Sequence, residues 1–144
     1  MTSSRWWIAA ALAALGVAGC GPTSLPKEAV YPARGKVTLN GQPVQMAQIE
    51  LEPVTPGQGA EATGIIGPGG TFALRTYSNT KEPDGAVPGK YKVVIKGYDP
   101  TVTGVAPKGV TPTKVPAKYA STSTTDKTVE IKAESNNLKI DLVE

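Results

Sequence analysis

Residues 90–96 read Lys90-Tyr-Lys-Val-Val-Ile-Lys96. Tyr91, Val93 and Ile95 share one side of an extended chain, and three lysines with Val94 take the other. Alternation with a period of two is the pattern of a β-strand, whose successive side chains point to opposite faces. A strand that is apolar on one face only must lay that face against another apolar layer, and this decides the class of fold. The preceding Pro88-Gly89 predicts a type II turn that delivers the chain into the strand. Tyr91 is then its first inward residue, and a tyrosine buried at such a corner is expected to hydrogen-bond backbone through its hydroxyl.

The same period recurs on both sides of this stretch. Upstream, Arg34–Leu39 sets Val37 and Leu39 against Lys36 and Thr38. Asn40-Gly41 follows, the preferred pair for a type I′ hairpin because both residues tolerate positive φ. Gln48–Glu52 alternates strictly, with Ile49 and Leu51 inward and the charges outward. Ala60–Ile66 is a weaker strand. Gly67-Pro-Gly-Gly70 predicts a tight turn into Thr71–Thr76, with Phe72 and Leu74 inward. Downstream, Val129 and Ile131 alternate with Glu130 and Lys132, and Asn136-Asn137 leads into Leu138–Leu142. No segment beyond Tyr31 sustains a helical period. About seven one-sided strands, each needing an apolar partner layer, predict an all-β, two-sheet sandwich or a small barrel.

Composition narrows the function. The chain has 144 residues, no histidine and one cysteine, Cys20. A Ser-His-Asp triad, a His-ligated zinc site and an intrachain disulfide are therefore excluded. The 16 glycines and 13 prolines are too many breakers for a helical bundle. A formal charge of +3 with both signs interspersed along the strands describes a solvated surface, not a basic stripe for nucleic acid.

The first 20 residues read as an address. Arg5 and the amino terminus precede an apolar run of 12 residues, Trp6 to Val17. A membrane-spanning helix needs about 20, so the run matches a secretory signal. It ends in Val17-Ala18-Gly19-Cys20, which resembles the bacterial lipobox at all four positions. The resemblance implies cleavage between Gly19 and Cys20 and a diacylglyceryl group on the Cys20 thiol. Two or three acyl chains hold a protein to a bilayer stably, because each buried CH₂ contributes about 0.8 kcal/mol. With Gly21 rather than Asp after the cysteine, the resemblance leans towards the outer membrane. Residues 21–30, rich in Gly, Pro and small polar side chains, read as a tether. The expected organisation is a signal peptide at 1–19, lipidated cysteine and tether at 20–30, and one β-sandwich domain at 31–144.

The body also resembles a known group. Gly35–Val44, Gly70–Leu74 and Asp84–Val93 are similar to the transthyretin-like, carboxypeptidase-regulatory-like domains of small bacterial lipoproteins. Val115–Tyr119 and Asn136–Leu138 add weaker matches. The resemblance implies a seven-stranded Greek-key sandwich and a non-catalytic role, and it names no ligand. The turn before the Gly-x-Phe strand often carries aspartates in that group. Here it is Gly67-Pro68-Gly69, which removes the basis for a cation site there.

The longest irregular stretch is 97–127. It carries Tyr98 and Tyr119 with Lys108, Lys114 and Lys118. Long unstructured connections in small domains are uncommon and are often functional. One reading is a binding loop, with Tyr98 and Tyr119 stacking on sugar rings and Lys114 and Lys118 meeting anionic groups. The other is a crossover packed on the sandwich edge. Glu82, Asp84, Asp99 and Asp126 have no calcium-loop spacing, and Ser78-Asn-Thr-Lys81 reads as a turn. No metal or cofactor is expected. The sequence thus describes a lipid-anchored envelope protein, not an enzyme, whose sandwich serves structure, adhesion or protein interaction. The alternative is a carbohydrate-binding module built on 97–127. Expected partners are the membrane, through Cys20, and another envelope protein or a glycan.

Overall fold

The computed structural model describes residues 28–76 and 83–144. The signal segment, the Gly19–Cys20 junction, the tether up to residue 27, Ser78–Lys81 and Glu82 lie outside the described residues.

The alternating segments fold as strands. They are β1 (Ala33–Leu39), β2 (Gln42–Pro43), β3 (Ala47–Pro53), β4 (Ala62–Ile66), β5 (Thr71–Ala73), β6 (Gly89–Lys96), β7 (Thr128–Ile131) and β8 (Asn136–Leu142). One sheet has the order β4-β3-β6-β7 and is antiparallel throughout. In the other, β1 is central. β8 lies parallel along one side of it, from Ala33↔Asn136 to Leu39↔Leu142. β5 and β2 share its other side, opposite the first and last parts of β1. Among the described residues helix is confined to single turns, one of them α1 (Pro100–Thr103).

Local chemistry accounts for much of this. Asn40 and Gly41 both take positive φ, 50° and 82°, as a type I′ turn requires. The inward residues expected from alternation, Val37, Ile49, Leu51, Leu74, Tyr91, Val93 and Ile95, are all fully buried. They join one apolar cluster between the sheets with Phe72, Ile131, Ile140 and Leu142. Gly35 leaves no room for a side chain beside β8, because a Cβ there would run into the Leu138 carbonyl.

The structure departs from the sequence reading in four places. Gly89 has φ of 153°, far from the value of about 80° in a type II turn, and is already the first residue of β6. Tyr91 is nevertheless placed as expected, its hydroxyl donating to the Val87 carbonyl at 2.7 Å. The strand expected over 71–76 divides. Its first part pairs with β1, and Arg75 then exchanges two backbone hydrogen bonds with Thr63 of β4, at 2.8 and 2.7 Å. That exchange joins the two sheets along one side. Glu50 and Val94, expected on a solvated face, stand opposite each other in the ladder and are both buried. The Glu50 carboxylate is tolerated there because the Lys96 ammonium lies 2.7 Å from it and the Gln48 amide donates to it at 2.8 Å. The bond to Glu50 raises the pKa of Lys96 above the ordinary lysine value. Finally, eight strands form among the described residues where about seven were expected, the extra one being the two-residue return arm of the Asn40-Gly41 hairpin.

Candidate functional site

Residues 97–127 leave β6 and return as β7. Their first turn is capped by Asp99, whose carboxylate accepts from the Thr101 N–H and hydroxyl at 2.8 and 2.6 Å. These two bonds lower the pKa of Asp99 below the ordinary aspartate value. The turn packs near β3 and β4. Tyr98 is open to solvent, and its hydroxyl accepts from the Ala106 N–H at 3.3 Å.

The second part of the segment is bound to the sandwich. Thr113 and Gln45 exchange two bonds of 2.9 Å, Thr113 N–H to the Gln45 carbonyl and Gln45 N–H to the Thr113 hydroxyl. Val115 packs against the core. The Thr125 hydroxyl donates to the Val93 carbonyl at 2.7 Å, and the Val93 N–H donates to the Lys127 carbonyl at 2.9 Å. The Lys92 ammonium donates to the Thr122 carbonyl at 2.8 Å.

Tyr119 corrects the binding-loop reading. Its ring has no exposed surface and belongs to the core cluster. Its hydroxyl donates to the Val143 carbonyl at 2.8 Å and accepts from the Val143 N–H at 3.1 Å. A ring in that position cannot stack on a sugar. Lys118 is half-buried, with its ammonium 4.8 Å from the Tyr119 ring centroid, a cation–π contact. The structure thus brings Lys118 and Tyr119 together as a packing unit. Lys114 and Tyr98 remain as exposed side chains of the segment.

No group of three Cys, Asp or Glu side chains suited to a metal occurs among the described residues. The Asp84 carboxylate accepts from the Thr76 N–H at 2.8 Å.

A concave surface that alternation did not single out lies where β4 meets β5. A groove of about 610 Å³ is lined there by Pro32, Arg34, Ile65, Thr71, Ala73 and Pro83. It runs into a second of about 440 Å³ that adds Gln48, Arg75 and Val102 to shared residues. Ile65 and Val102 are 40% and 46% exposed. The signal for it was the doublet Ile65-Ile66, since adjacent strand residues point to opposite faces and one isoleucine has to face out.

No protein-family model, curated protein or solved structure matches the chain. The fold and the side-chain geometry therefore stand alone: an all-β body in two sheets, with a long segment half open and half built into the core.

Proposed function

We propose that the chain is an exported bacterial lipoprotein, held to the cell envelope through Cys20, whose sandwich serves a non-catalytic structural, adhesion or protein-interaction role. The observation that carries this is Val17-Ala18-Gly19-Cys20 at the end of a 12-residue apolar run, with the only cysteine at the position that a lipid anchor requires. The leaning towards the outer membrane rests on Gly21. The body is read as a variant of the seven-stranded Greek-key, transthyretin-like sandwich. Two facing sheets and the buried tyrosine at the start of β6 support that reading.

Within this proposal, interaction through protein surfaces is favoured over sugar binding by 97–127. The burial of Tyr119 leaves that segment one open aromatic, Tyr98, in place of the two on which the sugar reading was built. Metabolic labelling with palmitate tests the anchor. The wild-type chain takes up label and Cys20→Ser does not; unlabelled wild type overturns the proposal.

A further inference from the structure

We propose that the free side of β8 is a self-recognition edge, through which two copies of this chain join strand against strand. β8 pairs with β1 and with no other strand among the described residues. The direction of its hydrogen bonds follows from its two ends. The Asn136 N–H donates to the Pro32 carbonyl, and the Leu142 carbonyl accepts from the Asn40 N–H, both at 2.8–2.9 Å. With the parallel register between them, the even-numbered residues of β8 turn their N–H and C=O groups to β1. Those of Asn137, Lys139, Asp141 and Val143 turn outwards. Tyr119 already occupies both outward groups of Val143. The open stretch is therefore Asn137 to Asp141.

The occupant is set by charge. Exposed sheet edges attract other strands, and proteins guard against this with charged side chains. The guard here is Lys139, 82% exposed, but Asp141, 57% exposed, stands two residues on along the same face, where it accepts from the Thr38 hydroxyl at 2.6 Å and makes a loose 3.7 Å ion pair with Lys139 that a partner strand can exchange. Leu138-Lys-Ile-Asp-Leu142 is thus symmetric about Ile140 with its charges reversed. An antiparallel copy must align residues of the outward set with each other. Three of the possible registers place both charged residues against a partner on the open edge or its end. One sets Lys139 against itself and one sets Asp141 against itself. The third, centred on Ile140, sets each Lys139 against the other copy's Asp141. It gives four backbone hydrogen bonds and two opposite-charge pairs. It is a two-fold, isologous arrangement. It also covers the small groove beside the strand, of about 240 Å³, whose floor includes Val93, Val129 and Ile140.

The interface is narrow, so the association is expected in the micromolar range. It is measured by sedimentation on the full chain carrying Cys20→Ser, in detergent, so that acylation plays no part and the result is independent of the anchor. The chain is expected to dimerise. Lys139→Asp and Asp141→Lys each place like charges opposite one another and weaken the dimer by about 10- to 100-fold. An equimolar mixture of the two variants restores opposite charges and recovers association. A monomeric parent chain at about 0.5 mM overturns the proposal. So do single variants that associate like the parent, or a mixture that stays monomeric. Recovery on mixing also requires that both variants be folded.

Discussion

Each half of the segment between β6 and β7 carries one tyrosine and one aspartate, yet the two halves have opposite structural roles. In 97–112, the hydrogen bonds among the described residues close within the half itself, from Thr101 and Thr103 to Asp99, from Ala106 to Tyr98 and from Val110 to Pro107. Val105 is 84% exposed. In 113–127, bonds reach out to Gln45, Val93 and Val143, and Tyr119 fills a place in the core. Lack of regular secondary structure is therefore no measure of looseness. What separates the halves is whether their polar groups and one aromatic ring find partners on the sheets.

This contrast can be broken most sharply at Tyr119. Tyr119→Ala removes a fully buried ring and is expected to cost about 3–5 kcal/mol in urea unfolding. Tyr119→Phe keeps the ring but strands both backbone groups of Val143, for about 1–3 kcal/mol. A cost below ~1 kcal/mol for the alanine variant would place both halves in the same class. Thr113→Val, which leaves the Gln45 N–H without its acceptor, should cost about 1 kcal/mol. A neutral result there would confine the anchoring to Tyr119 and the residues after it.

The smallest effect belongs to the open half. Thr101→Val removes the hydroxyl bond that is the larger cause of the lowered Asp99 pKa. Carboxyl titration by NMR should show that pKa moving up towards 3.8, while the global unfolding midpoint stays put. The sign follows from the direction of the shift. A lowered folded pKa stabilises the cap above the ordinary aspartate pKa, and that contribution is lost as pH falls through the folded value. A shift of the global midpoint would mean that α1 is coupled to the core.

The same division marks how much the sequence could reveal. Strands β1, β3 and β6 were legible because alternation is a local property of consecutive residues, and so was the turn at Asn40-Gly41. Tyr91 was legible because it opens a strand whose face was already assigned. Tyr119 was not, because Val115–Ala120 has no period from which an inward side could be read. Glu50 followed the pattern in direction but not in exposure. Its place there rests on the Lys96 ammonium, which reaches it from the neighbouring strand β6, beside the Gln48 amide of its own strand. Nor does any local feature announce that β8 lies parallel to β1, since the pairing spans 103 residues from Ala33 to Asn136. Of the candidate residues, Lys114 and Tyr98 kept the exposure that a surface role needs, and Tyr119 did not.

The parallel pairing of the first and last strands has a mechanical side. The chain enters β1 beside Asn136, where β8 begins, and leaves β8 beside Asn40, at the other end of the strand. Entry and exit are thus separated by the length of the strand, roughly 20 Å. A force applied between an anchor before Ala33 and a partner gripping the C-terminal end would slide β1 along β8. All seven aligned residue pairs, from Ala33↔Asn136 to Leu39↔Leu142, would then bear the load together. A hairpin pulled at its open end gives way one rung at a time, whereas this junction has to shear as a whole.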